Sequence, residues 1–157
     1  MQRVDRAYAA LDDLVIHERL ASSPAHRIDS VFTMVAPSSL SIVSSNGERS
    51  IVVGGKRWDQ APGGRWQESP QQPPLQVMTP YWRGVLQDPS LLGTLRVGGR
   101  KALRVSFAAP SIPAFFDVVV DASTYRTLEL EMVAAAHFMH HRYSGFDVRR
   151  TIARPRG

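Results

Sequence analysis

The sequence predicts an α+β fold, in which a curled antiparallel sheet of about seven or eight strands forms an incomplete β-barrel around two helices. Long stretches alternate apolar and polar side chains with a period of two, which is typical of half-buried strands. Short turns rich in Gly, Asn and Pro separate these stretches, so neighbouring strands must pair antiparallel. Helical spacing is confined to the N-terminus and one mid-chain loop.

The chain of 157 residues is short enough for one domain. We expect a folded body over residues 4–153 and a basic tail over residues 154–157. Apolar residues make up 43% and charged residues 21%, as in soluble globular proteins. The longest apolar runs fall short of the ~20 residues of a membrane helix, and the N-terminus lacks the apolar core of a signal peptide. The absence of cysteine excludes disulfides, thiol catalysis and cysteine zinc sites.

The N-terminal half begins with apolar residues at three- and four-residue spacings from Val4 to Leu14, which predicts a short amphipathic helix. Alternation with a period of two then predicts strands up to Met34. Asn46-Gly47 lies between two further β-rich stretches, and predicts a hairpin with a type I′ turn because both residues tolerate a positive φ.

Six of the eleven prolines lie between Pro62 and Pro89, which predicts a loop. A short helix is expected at Tyr81–Leu86, because Pro80 suits a first helical turn. The period-two pattern then resumes and ends in one run of roughly twenty residues to His141, which predicts a long strand that bends around the core.

Large apolar side chains along this pattern are the candidates for lining an apolar groove, although each is equally explicable as core. The candidate groove residues are Phe32, Met34, Trp58, Trp66, Trp82, Phe107, Phe116, Met132 and Phe138. The three tryptophans flank the proline-rich loop, so they are either a lid over a cavity or a satellite of the core.

A second candidate site is a metal site at His137, Met139 and His141, because imidazole and thioether ligands suit copper. On one strand these side chains share a face but lie about 7 Å apart. A polar strand face with ordinary packing is the competing interpretation.

The net charge is +5, and almost all of the basic residues are arginine. Arginines accumulate near the C-terminus, which indicates either a solvated tail or a contact with anionic headgroups. No nucleic-acid-binding motif and no cofactor motif is present, so neither partner is expected.

Several segments together resemble a bacterial extracytoplasmic domain of the LolA/LolB and LppX lipoprotein fold, as found at the C-terminus of CopD-like membrane proteins of actinobacteria. The segments are Ile51–Trp58, Pro62–Trp66, Val118–Thr124, Met132–Met139 and Tyr143–Asp147. The resemblance covers residues 4–153 and implies a half-barrel with an apolar cavity. It also implies an exported, non-enzymatic domain that binds lipid or an acylated protein, or that is linked to a membrane domain of a parent protein.

These observations favour an extracytoplasmic binding module whose apolar groove takes an acyl chain or a hydrophobic partner segment. The alternatives are a copper-handling domain at the His/Met face and a hydrolase or isomerase, which would need a buried titratable pair within hydrogen-bond reach. The oligomeric state stays open.

Overall fold

The structure, a computed structural model, describes residues 1–23, 25–80 and 82–156. Within these ranges the chain forms one helix and eleven strands. They are α1 (Gln2–Ala9), β1 (Asp13–Ser23), β2 (His26–Val35), β3 (Ser39–Ser44), β4 (Arg49–Val53), β5 (Lys56–Gln60), β6 (Gln67–Pro70), β7 (Gln87–Val97), β8 (Arg100–Ala109), β9 (Ala114–Asp121), β10 (Thr127–Ala134) and β11 (His137–Ser144).

All eleven strands belong to one sheet in the order β6-β5-β4-β3-β2-β1-β11-β10-β9-β8-β7. Every neighbouring pair is antiparallel. The sheet therefore consists of two consecutive meanders, β1–β6 and β7–β11, which meet where β1 pairs with β11. Strands β6 and β7 are the two open edges.

The predicted fold class is wrong, because the described chain is nearly all sheet with more strands and fewer helices than expected. At the predicted mid-chain helix, residues 82–85 form turns, and Tyr81 lies outside the described residues. The long final run is two strands, because the chain reverses at Ala135 and Ala136, where Ala136 has a φ of 55°.

Two of the two-residue hairpins, at Gly54-Gly55 and Gly98-Gly99, are formed by paired glycines. Gly54 and Gly55, with φ of 59° and 75°, join β4 to β5, as a type I′ turn requires. The predicted hairpin at Asn46-Gly47 is present, but its loop spans residues 45–48 and only Gly47 has a positive φ, 89°. Its predicted type I′ turn is therefore wrong, since that turn requires two residues of positive φ.

One face of the sheet, here called the inner face, carries helix α1 and the core. Directly paired residues on neighbouring strands project from the same face, so the register identifies its members. Leu14, Phe116, Val118 and Leu130 are almost fully buried there. Helix α1 ends at Ala9, short of the predicted Leu14, and buries Val4 and Tyr8 against them.

Residues 71–86, here called the crossover, connect the two edge strands. The crossover starts beside the β4–β5 turn, where the Gln71 N–H donates to the Gly55 carbonyl over 2.9 Å. It then passes the β2–β3 turn and reaches the core at Trp82, which is 1% exposed. The Trp82 ring makes edge contacts with Tyr8 and Phe107, and its Nε1 donates to Asp5 over 2.8 Å.

The segment after β11 is fixed to the start of β1 by the buried Asp13. The Asp13 carboxylate accepts hydrogen bonds from the Arg150 guanidinium and from the Arg149 backbone N–H. Burial alone would raise the pKa of Asp13, but the hydrogen bonds from Arg150, Arg149 and Val148 outweigh it and lower that pKa. The start of β1 and the segment just after β11 are thereby held together.

Candidate functional site

The inner face divides into two halves that differ in how they are covered. Over β8–β11, here called the covered half, α1 and Trp82 close the surface, and residues such as Phe107 and Leu130 are buried. Over β2–β5, here called the open half, no helix of the described chain lies on the sheet. The open half is therefore where the inner face can receive another molecule.

The open half presents a set of apolar side chains that are only partly buried. By register, Phe32 pairs with Ile42 and Met34 pairs with Leu40. At the end of the sheet, Leu20 pairs with Ile28. We call this set the apolar strip: Leu20, Ile28, Phe32, Met34, Leu40 and Ile42. Leu20, Phe32 and Met34 of this strip pack against the core, and all six side chains remain partly exposed to solvent.

A polar row crosses the apolar strip between Leu20 and Phe32. It consists of Ser44, Ser30, Glu18 and His141, which are successive partners across four strands. His141 Nε2 lies 2.8 Å from Glu18 Oε2, and its Nδ1 lies 3.3 Å from the Tyr143 hydroxyl. Ser30 Oγ and Ser44 Oγ are 2.9 Å apart. The row therefore satisfies its own hydrogen-bonding groups within an apolar surface.

Two tyrosines near this row are held in their neutral form. Burial raises the pKa of Tyr8 to about 12. Burial also raises the pKa of Tyr143 well above its usual value, with Tyr8 and Glu18 adding to the effect. The covered half next to the row is consequently a poor place for a new negative charge.

A polar pocket of about 490 Å³ lies next to the apolar strip on the side of β4 and β5, and Ile42 is one of its lining residues. Ser50, Arg57 and Asp59 are among its lining residues. Arg57 Nε donates to Asp59 Oδ2 over 2.7 Å, and this hydrogen bond is the main cause that lowers the pKa of Asp59. An apolar surface that leads into a pocket with a guanidinium suits an amphiphile better than a purely apolar molecule.

Two other hollows have a different character. A groove of about 840 Å³ is lined mostly by outer-face residues of both charges, among them His17, Arg19 and Glu129, and it also reaches Glu18, Ser30 and Ser44 of the polar row. A smaller pocket of about 360 Å³ lies between the start of α1 and strands β8 and β9. Neither is lined by a residue of the apolar strip.

The structure brings six of the nine predicted groove residues together on the inner face. Phe32 and Met34 lie in the open half. The others belong to the covered core: Trp82, Phe107, Phe116 and Met132. Phe107 and Phe116 stack with ring centroids 5.1 Å apart, so they fill space in the core.

The other three predicted residues lie elsewhere. Trp58 pairs with Ile51 and Glu68, which places it on the outer face, where its ring lies 5.9 Å from the Arg154 guanidinium carbon. Trp66 is partly buried just before β6. Phe138 is half exposed on the outer face, because the turn at Ala135 and Ala136 pairs it with Val133 instead of continuing the alternation.

The residues of the metal alternative lie on the inner face but are not assembled into a site. Met139 and His141 are buried, whereas His137 is exposed at the end of the sheet. Both ring nitrogens of His141 already face Glu18 or Tyr143. Among the described residues, no group of three or more His, Cys, Asp or Glu could hold a metal ion. The metal alternative stays a prediction without geometric support.

The sequence interpretation missed four of the six residues of the apolar strip, and it missed the hydrogen-bonded pair of Glu18 and His141. Leu40 and Ile42 could have been found from the alternation of β3. The pair could not, because its members are 123 positions apart and meet only through the pairing of β1 with β11.

The pair also meets the condition that the enzyme alternative required. However, both ring nitrogens of His141 already face a neighbour, Tyr143 or Glu18.

Across residues 1–23, 25–80 and 82–156, the structure contains no helix with the length and apolar character that a membrane span needs.

The open antiparallel sheet of the described residues is similar in fold to two mycobacterial lipoproteins. LppX of Mycobacterium tuberculosis superposes with a TM-score of 0.70 at 10% identity, over 97% of this chain and 95% of that chain. LprF from Mycobacterium bovis superposes with a TM-score of 0.68 at 12% identity, over 99% of this chain and 95% of that chain.

An uncharacterised conserved protein from Thermus thermophilus is also similar, with a TM-score of 0.56 at 9% identity, over 91% of this chain and 83% of that chain. No protein-family model and no curated protein matches the sequence. The resemblance to the LppX fold is thus confirmed at the level of fold, whereas the CopD-like parent protein is not shown.

Proposed function

We propose that this protein is a non-enzymatic, extracytoplasmic binding module that holds the acyl chain of a lipid or of an acylated protein on the open half of its inner face. The observation that carries the proposal is the apolar strip, which is continuous with the core but has no helix of the described chain over it. The shared fold with the two mycobacterial lipoproteins supports the cell-envelope location.

The chemistry of the strip fits a flexible hydrocarbon. Each buried CH₂ group contributes about 0.8 kcal/mol, so a chain laid along Ile28, Phe32 and Ile42 gains affinity in proportion to its length. The neighbouring pocket, with Arg57 and Ser50, would meet the polar end of the same molecule. This arrangement binds by shape and polarity, and it requires no reacting group.

The test compares adjacent residues of one strand that project from opposite faces. Ile42→Glu places a charge in the apolar strip, whereas Val43→Glu places the same charge on the outer face, where Val43 is 47% exposed. Native mass spectrometry and displacement of a fluorescent fatty acid then report binding. We expect Ile42→Glu to weaken fatty-acid binding by roughly ten-fold or more and Val43→Glu to leave it unchanged.

A second matched pair guards against a variant that only disturbs folding. On β2, Phe32→Glu affects the strip and Val31→Glu does not. Circular dichroism confirms that each variant is folded before binding is measured. Equal binding by wild type and both strip variants, or no uptake of fatty acid by the wild type, would contradict the proposal.

A further inference from the structure

The outer face carries an exposed apolar row at one end of the sheet. Phe115, Val133 and Phe138 are direct partners across β9, β10 and β11, and they are 69%, 50% and 50% exposed. Ala21 on β1 continues the row. Because adjacent strands lie 4.7–4.9 Å apart, these side chains form one contiguous patch rather than scattered contacts.

Three hairpin tips extend the row beyond the strands at the same end. They are the β1–β2, β8–β9 and β10–β11 connections, and the β8–β9 tip adds Ile112, which is 41% exposed. The register of Ala134 with Ala114 and with His137 places two of these tips level with each other. The apolar row and the tips thus form a blunt edge.

The titratable residues of this edge are all basic. Segments 21–28, 110–115 and 133–138 contain no Asp or Glu, but they contain His26, Arg27 and His137. The next row of the outer face lies about 7 Å further from the edge. Its carboxylates Asp29 and Asp117 form ion pairs, Asp29 with Arg19 and Arg27, and Asp117 with Arg104. Its remaining carboxylate, Glu131, faces His140.

We propose that this edge docks on the surface of a lipid bilayer with anionic headgroups. Interfacial elements bury their apolar groups about 5–10 Å into the boundary between headgroups and acyl chains. That depth takes in the aromatic row and leaves Arg19, together with the Arg27 guanidinium that pairs with Asp29, at the level of the phosphates, whose geometry guanidinium groups match. The edge lies on the outer face, so docking is separate from ligand binding on the inner face.

The test is flotation of the full chain with vesicles of phosphatidylcholine and phosphatidylglycerol in equal parts. The double variant Phe115→Ser/Phe138→Ser removes the row, and Leu91→Ser/Leu92→Ser removes two similarly exposed residues on edge strand β7. We expect the first to reduce the vesicle-bound fraction by roughly ten-fold or more and the second to leave it unchanged. Added salt should weaken wild-type binding.

A second measurement reports depth. Tryptophan emission of Phe138→Trp should shift to the blue and be quenched by brominated acyl chains, whereas that of Leu91→Trp should not. Failure of the wild type to float, or flotation unaffected by the Phe115 and Phe138 substitutions, would overturn the proposal. So would a dimer in sedimentation velocity that the same substitutions dissolve, since the row would then be a contact between copies. The Ile42→Glu variant should still float, which separates this result from that of the proposed function.

Discussion

The covered and open halves of the inner face are built from the same kind of strand but are completed differently. In the covered half, α1 and Trp82 supply the second layer that a sheet needs. In the open half, comparable side chains such as Phe32 and Met34 remain partly exposed. The difference shows that the chain carries enough helix to cover only one meander, and that the other is left with an unfilled apolar surface.

The largest expected effect is a difference in the unfolding free energy lost when an aromatic ring is removed from the covered half or from the open half of the inner face. Phe116→Ala removes a ring that is 1% exposed in the covered half and should cost about 3–5 kcal/mol of unfolding free energy. Phe32→Ala in the open half should lower the unfolding free energy by less than half of that amount. The Phe32 ring is only partly buried, so fewer contacts are lost when it is removed. Denaturant unfolding of both variants measures the difference, and equal losses would show that the open half is as well packed as the covered half.

A medium effect concerns the β9–β10 turn of the covered half. The Asp121 carboxylate accepts hydrogen bonds from the Ser123 hydroxyl and the Thr124 N–H, which together lower its pKa to about 2. Because the unfolded value is about 3.9, ionised Asp121 contributes roughly 2 kcal/mol above about pH 5. This contribution is lost as the pH falls towards 2.

Urea unfolding between pH 6 and pH 2, in roughly one-unit steps, checks this prediction. Asp121→Asn should flatten the acid side of the stability curve, and Ser123→Ala should give an intermediate slope because it removes the largest single cause of the pKa shift. An unchanged slope in Asp121→Asn would mean that other carboxylates govern the acid limb.

The smallest effect lies in the open half, at the β4–β5 turn. Gly55 has a φ of 75° and open space around its Cα. Gly55→Ala should therefore cost about 1 kcal/mol through backbone strain alone, whereas Gly55→Asn should cost less, because Asn tolerates this conformation better. Thermal melts of the two variants test this order, and a loss equal to that of Phe116→Ala would indicate that the open half depends on this turn far more than its packing suggests.

The strand faces were predicted correctly where typical turn residues separate the alternating stretches. The alternation on β1, β2, β8 and β9 agrees with the observed faces. The prediction failed at Ala135-Ala136, because alanine is not a typical turn residue and the reversal is seen only in the pairing of β10 with β11. That one error merged two strands and assigned Phe138 to the wrong face.

The candidate site was only partly predictable for a related reason. Alternation reveals that Phe32 and Phe116 face inward, but it cannot tell which of them a helix covers. That depends on where α1 and the crossover lie, and these positions are set by long-range contacts such as those of Trp82 with Asp5 and Phe107. The local alternation therefore predicts which residues lie on the inner face of the sheet. Which part of that face stays uncovered depends on tertiary packing.

Among the described strands, the two meanders pair with each other only where β1 meets β11, and this junction contains the Glu18–His141 hydrogen bond. If β11 slipped by one residue along β1, every side chain of the slipped strand would change faces. His141 would then leave Glu18 behind as an unpaired carboxylate beneath an apolar surface, which is costly. The Glu18–His141 hydrogen bond therefore favours a single alignment of β11 along β1. This alignment in turn sets the position of every strand of the second meander relative to the apolar strip.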